Sequence, residues 1–260
     1  MYFSIIIVCL NAGKNLLKTV ESVLYQTYVD YEIVVKDGFS IDGSIEQLPT
    51  DSRIKIVRRK DKGIYDAMNQ GITESHGEYI IFMNAGDYFY DSQVLELLSR
   101  AISIDRADIY YGKSYNIHLK AFDKCPPYID KYFCYRSMIC HQATLYKAEI
   151  MKKRGYDISF KISADRERLM YAVIKENIKP IYVPINIAMF QDGGFSSTLE
   201  GKLRNKDENK RLIARYYTDK EKRKYRIKYL FTLPHLRKLL IKNIYVYRVY
   251  NKLVGIIYRT

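Results

Sequence analysis

Residues 3–38 read FSIIIVCLNAGKNLLKTVESVLYQTYVDYEIVVKDG, and the fold follows from the punctuation of that stretch. "FSIIIVCL" (3–10) and "YEIVVK" (31–36) are short, β-branched apolar runs. Between them, "GKNLLKTVESVLYQ" (13–26) spaces its apolar residues at helical intervals. The alternation continues: "RIKIVR" (53–58), "YIIFM" (79–83) and "DIYYG" (108–112) read as strands. "GIYDAMNQGITES" (63–75) and "SQVLELLSRAI" (92–102) read as helices. Strands apolar throughout and interleaved with helices predict an α/β fold, a mostly parallel sheet flanked by helices on both faces. Such sheets bind ligands in the loops at the carboxyl ends of their strands.

Those ends are rich in acids. The first strand runs into Cys9, Leu10 and Asn11, and the second into "KDGFSIDGS" (36–44). The third leads to "RKDKGIYDAMNQG" (59–71), with Asp61, Lys62 and Asp66, and the fourth to Asn84-Ala85-Gly86-Asp87. One glycine–aspartate pair is turn chemistry. Three on one edge of one sheet point to a ligand. Local readings stand beside that one: Ser40 or Asp42 as helix caps, Asp66 as a partner of a helix dipole.

From 113 to 140 the pattern breaks into a loop-rich stretch with Pro126, Pro127 and three of the four cysteines. Regularity returns with "HQATLYK" (141–147), a helical "SADRERLMYAVIKEN" (163–177) and strands near 179–190. "DGGFSS" (192–197) reads either as a flexible loop whose backbone amides approach a diphosphate or as a plain surface turn. The chain from 201 onward is helical, basic and tyrosine-rich, with Pro234 opening the last helix. The expected division is a nucleotide-binding domain over 1–200 and a basic helical extension over 201–260.

Residues 1–200 hold 25 Lys+Arg against 25 Asp+Glu, whereas 201–260 hold 18 against 4, so the net charge of +14 lies in the extension. That asymmetry predicts an anionic partner for the tail. Cys9, Cys125, Cys134 and Cys140 form no CxxC pair and read as reduced thiols of a cytosolic protein. The apolar start lacks a basic leader, and no run reaches 18 apolar residues, so the expectation is a cytoplasmic protein that touches a membrane at most peripherally.

In this order the residues resemble glycosyltransferase family 2, the GT-A-fold group that uses nucleotide-sugar donors. "FSIIIVCLNAGKNLLKTVESVLYQTYVDYEIVVKDGFSIDGS" is similar to that family's opening βαβ unit. "DKGIYDAMNQGI…GEYIIFMNAGD" resembles the branch that builds bacterial capsule, O-antigen or exopolysaccharide repeat units. The resemblance covers about residues 3–200 and implies an inverting transfer from a nucleotide-sugar, with a lean to UDP. Negative charge develops on the departing diphosphate, and a carboxylate-held Mn²⁺ or Mg²⁺ absorbs it. The family's DXD motif aligns with Asn84–Asp87 and is degenerate here, leaving Asp87 as metal ligand and Asn84, Ala85 and Gly86 as donor contacts.

By the same resemblance, Asp37 and the loop Cys9–Leu10–Asn11 hold the nucleotide, and Lys62 reaches a phosphate. Asp66 orients sugar or base, and His141, with Gln142 beside it, borders the donor and acceptor sites. Asp165 in "KISADRERL" matches the family's catalytic acid pair, with Ala164 replacing the first acid. It is expected to be the base that takes the acceptor hydroxyl's proton, with Glu167 as the fallback. The implied acceptor is a saccharide, carried in such pathways on polyprenyl diphosphate, and the basic tail would dock on the membrane's inner face. Packing on the catalytic domain or against a second copy is the other reading of the tail. A nucleotidyltransferase, an inactive relative, or a nucleic-acid binder acting through the tail are the rival functions. The last explains only the tail, so no nucleic-acid partner is expected.

Overall fold

A computed structural model describes residues 1–123, 125–191 and 198–231. Strands β1 (Phe3–Cys9), β2 (Tyr31–Asp37), β3 (Ile54–Arg58) and β4 (Tyr79–Asn84) lie in the order β3-β2-β1-β4, all parallel. Helices α1 (Lys14–Leu24) and α2 (Ile64–Glu74) make two of the crossovers. Successive β1 side chains point to opposite faces. Phe3, Ile5 and Ile7 pack with α1 and with α3 (Val94–Ile104), while Ile6 and Val8 pack with α2. Because both faces are covered, the strands carry apolar residues continuously rather than alternately. Gly71 lets α2 lie against β1, since an added Cβ would collide with Ile6.

The second half of the sheet adds antiparallel strands to this parallel half. Beyond β4 come β8 (Thr144–Lys147), β6 (Ile109–Asn116), β9 (Ile181–Phe190) and β5 (Tyr88–Phe89). β8 is antiparallel to both β4 and β6, β6 is parallel to β9, and β5 is antiparallel to β9. The stretch 113–140 is also more ordered than its prolines suggest. β6 continues to Asn116 because β9 pairs with it through two register shifts. A short β7 (Ala121–Phe122) folds back on β6. Helix α4 (Lys131–Arg136) starts where the Asp130 carboxylate accepts the Phe133 N–H at 2.6 Å.

After a 3₁₀ turn at His141–Ala143 follow β8, α5 (Ala148–Lys153) and α6 (Ala164–Ile174). Helices α7 (Leu199–Tyr216) and α8 (Asp219–Phe231) close the described chain. α7 is no free arm. Leu212 and Tyr216 are buried in the cluster that contains Phe82 and Met170. The "DGGFSS" loop (192–197), Pro234 and the tail over 232–260 lie outside the described residues. No described helix is long and apolar enough to cross a membrane, and all four cysteines are free thiols.

Candidate active site

The loops after β1 and β2 are knitted together before any ligand arrives. Asn11, at φ 49°, donates its N–H to Ser40 Oγ at 2.8 Å and accepts the Ile41 N–H on Oδ1 at 3.0 Å. Asp42 accepts from Gly13 N at 2.7 Å and from the Ser44 hydroxyl at 2.6 Å. Asp37 is fully buried at the end of β2, accepting from the Ser40 hydroxyl at 2.6 Å and from Arg58 Nε at 3.1 Å. Its carboxylate thus shapes the loop. The Cys9 thiol faces Asp37 at 3.8 Å, and burial pushes it up to about 12, so it stays protonated. Leu10, Phe39 and Ile41 stand exposed around this edge, with the Arg58 guanidinium 5.9 Å from the Phe39 ring centre.

The loop after β3 is tied in similarly. Lys36 is wholly buried and pairs with Asp61 at 2.9 Å, while Asp61 Oδ1 accepts the Gly63 N–H. Asp66, in the first turn of α2 where an acid complements the helix dipole, accepts the Lys62 N–H at 2.8 Å, and Lys62 itself is exposed.

At the end of β4 the chain turns sharply. Gly86 takes φ 109°, a conformation glycine tolerates, and donates its N–H to Thr19 Oγ1 at 2.8 Å. Ala85 donates to Val8 O at 3.2 Å. The turn returns Asp87 onto its own strand end: Oδ2 accepts from Asn84 N at 3.0 Å and from Gln142 Nε2 at 2.9 Å, leaving Oδ1 outside those bonds. Burial, opposed by the Gln142 hydrogen bond, raises the Asp87 pKa above the ordinary aspartate value. Asn84 Oδ1 is buried with no partner.

His141 joins this turn to a distant helix. Its Nε2 meets Asn84 Nδ2 at 3.3 Å and its Nδ1 meets Asp165 Oδ2 at 3.4 Å. A neutral imidazole protonated on Nδ1 satisfies both contacts. Asp165 is buried in the first turn of α6, with Oδ1 facing the Tyr65 hydroxyl at 3.1 Å and its neighbour's N–H, that of Arg166, at 2.7 Å. The structure thus brings Asn84, Asp87, His141 and Asp165 into one unit of polar contacts, with Gln142 and Tyr65 as its additional members. Beside it a cavity of about 450 Å³ is lined by Ser114, Asp123, Cys140 and His141. Glu167 belongs elsewhere. It is fully buried and bound by Arg154 at 2.8 Å, by Arg215 and by the Tyr216 hydroxyl.

Tyr65 carries a usable signal, standing one residue from Asp66 in "GIYDAMNQG". Arg58 and Thr19 carry none, since their partners come from other loops.

Two hard oxygen donors therefore stand at the β4 turn, Asp87 Oδ1 and Asn84 Oδ1. No group of three or more His, Cys, Asp or Glu able to hold a metal occurs among the described residues. That donor set suits Mg²⁺ or Mn²⁺ held jointly with a phosphate-bearing ligand, the usual situation for such ions, and not a cation held by protein alone.

Residues 4–166 match the model of "Glycosyl transferase family 2", and the chain belongs to that family. It is a glycosyltransferase. This replaces the nucleotidyltransferase reading. Among curated relatives, it is 30% identical to a PGL/p-HBAD biosynthesis glycosyltransferase of Mycobacterium bovis, over 77% of this chain and 81% of that protein. Among solved structures it resembles S. aureus TarS 1–349 in complex with UDP, with TM-score 0.68 at 16% identity, covering 94% of this chain and 75% of that one. It also resembles the mannosyltransferase PcManGT from Pyrobaculum calidifontis in complex with GDP-Man and Mn²⁺, with TM-score 0.63 at 13% identity, covering 82% of this chain and 63% of that one. The chain thus spans less than two thirds of PcManGT. At these identities the two structures establish the GT-A fold.

Proposed function

We propose that the protein is an inverting glycosyltransferase that moves a sugar from a nucleotide-sugar, a UDP-sugar first, to a saccharide acceptor carried on a lipid diphosphate in surface-polysaccharide assembly. The observation that carries this reading is the chain of polar contacts from Asp87 through Asn84 and His141 to Asp165. It joins a carboxylate at the diphosphate end of the sheet to one suited to take a proton. UDP in TarS and GDP-Man with Mn²⁺ in PcManGT support a nucleotide-sugar as donor.

In this mechanism the loop Cys9–Leu10–Asn11 and the loop shaped by Asp37 receive the nucleoside. The exposed Leu10 and Phe39 offer apolar surface to its base, and Lys62 reaches toward a phosphate. Asp87 and Asn84 would hold Mn²⁺ or Mg²⁺, which when bound offsets charge on the departing diphosphate. Asp165 accepts the acceptor hydroxyl's proton as that oxygen attacks the anomeric carbon. A single displacement with one base inverts the anomeric configuration. His141 Nδ1–H and Tyr65 OH keep Asp165 oriented toward the site.

Thermal shift with UDP- and GDP-sugars, with and without Mn²⁺, tests the reading on wild type and Asp87→Ala. A donor-induced shift enlarged by Mn²⁺ and lost in the variant is expected. Folded wild type that answers to no nucleotide-sugar rules the reading out.

A further inference from the structure

A second cavity, of about 560 Å³, opens between α4, α6, α7 and α8. Five cationic side chains line it, Arg136, Arg166, Lys206, Lys210 and Lys222, over a wall that includes Tyr135 and Ile213, and among the described residues no carboxylate lines it. Only two of the five have counter-ions among the described residues: Lys210 pairs with Asp207 at 3.3 Å and Lys222 with Asp219 at 3.1 Å. Both acids are largely exposed, and such surface pairs neutralise little.

Arg166 is the fixed point of the cavity. Its guanidinium donates to Asn209 Oδ1 at 2.6 Å and to the carbonyls of Cys134 and Tyr135 at 3.0 and 2.9 Å. Its Nε is buried with no partner. Asn209 is itself held by Asn205, which accepts from Ser163 at the start of α6. The cation is thus oriented by neutral oxygens alone, and burial costs it solvation without a contacting negative charge in return. An arriving anion would supply that charge. Arg166 also follows Asp165 directly, so one turn of α6 faces the catalytic unit with one residue and this cavity with the next.

We propose that this cavity is an anion subsite that takes the phosphate-bearing end of the acceptor, a phosphate or diphosphate ester, while the acceptor's sugar hydroxyl lies at Asp165. This rests on the proposed function, whose acceptor is carried on a lipid diphosphate, and assigns that diphosphate its own site. The volume falls within the range of about 300–1,000 Å³ that accommodates small-molecule ligands and exceeds the needs of a lone phosphate. Arginine and lysine are the residues that recognise phosphate oxygens. The apolar atoms of Tyr135 and Ile213 suit the first carbons of an ester.

The test is calorimetry on the full chain with the donor site first saturated by UDP, so that added diphosphate has only a second site to fill. Inorganic pyrophosphate is expected to bind, and a short-chain alkyl diphosphate more tightly. The double variant Lys206→Gln/Lys210→Gln changes two exposed residues and should bind both about tenfold more weakly or worse. Arg136→Gln, also exposed, should weaken both as well. The UDP-induced melting shift reports folding and the donor site in every variant. If UDP does not bind, GDP replaces it in the same titration, and if neither binds, the nucleotide-sugar reading fails. If UDP binds but pyrophosphate does not, or the variants bind it equally well, the subsite is overturned. An alkyl ester weaker than pyrophosphate overturns the acceptor assignment in favour of a free-anion site. Affinity for phosphatidylglycerol vesicles without affinity for either soluble diphosphate overturns it in favour of a lipid headgroup.

Discussion

Glu208 on α7 should be among the most consequential residues outside the reaction centre, although no step of the chemistry involves it. It is buried, and its Oε1 accepts the N–H of Lys161 at 2.7 Å while Oε2 accepts those of Ile162 and Ser163 at 3.0 and 2.9 Å. These three successive amides lead into α6, where Asp165 stands two residues further on. Glu208→Ala strands all three. A buried donor without an acceptor costs about 1–3 kcal/mol, and two of these amides are only partly buried, so the sum is about 3–5 kcal/mol. Glu208→Gln keeps one oxygen and presents an amide donor where the other was, for a loss of about 1–3 kcal/mol. In urea unfolding, with a slope near 3 kcal/mol/M, the alanine variant's midpoint should fall by about 1 M or more. Below its melting temperature that variant should also turn over more slowly, because the segment carrying Asp165 has lost its tether. UDP affinity should hold, since Asp37 and Asp87 are untouched. An alanine variant with an unmoved midpoint, or one that turns over normally, would refute the reasoning.

Three further outcomes follow from contacts at and near the site. Tyr65→Phe removes the hydroxyl that faces Asp165 and Ile162 O, so stability should drop by about 1 kcal/mol and turnover should fall with donor affinity intact. A variant with wild-type turnover would dismiss Tyr65 as a positioning residue. Glu221 is held down to about 2 by the Lys131 ammonium and the Thr218 N–H. A depressed carboxylate stabilises fully above its unfolded value of 4.5 and loses that contribution as pH falls toward about 2. Glu221→Gln should therefore differ from wild type in stability at pH 6 and converge with it in acid, and parallel acid profiles would exclude the linkage. Asn84→Asp restores a second acid to the turn, so Mn²⁺ should bind the UDP complex more tightly, while loss of the amide donated to His141 lowers turnover about tenfold. Unchanged metal affinity in calorimetry would remove Asn84 from the metal's surroundings.

Much of the sheet was legible because burial on both faces writes itself into composition. β1, β2 and β4 are almost unbroken apolar runs, and the helices between them carry their apolar stripes at helical spacing. The β4 turn was legible too, since a glycine at φ 109° beside an acid is local chemistry. The partners of that turn were legible only through the family resemblance, not from the residues around it. Gln142 reaches Asp87 across 55 residues, and His141 reaches Asn84 across 57, because β8 enters antiparallel beside β4. Nothing near Asp87 in sequence announces that strand. α7 misled for a different reason. Its buried face, Gly201, Glu208, Leu212 and Tyr216, recurs at helical spacing but includes an acid, so hydropathy hides it among the lysines and arginines around it.

The departure of this chain from its family's acidic pair has a physical logic. Asp87 is already raised by burial, and a second carboxylate at position 84 would set two like charges in a site that solvates one poorly. Asparagine removes that repulsion and keeps an oxygen in the turn. Its amide also donates to His141 Nε2, which fixes the imidazole proton on Nδ1, facing Asp165. A carboxylate at 84 would instead accept from the histidine and draw that proton away from Asp165. On the proposed mechanism, one amide would trade cation affinity for orientation of the group proposed as base. The trade is sustainable only if the cation arrives with the donor's diphosphate, whose oxygens complete a coordination shell that Asp87 and Asn84 alone leave open.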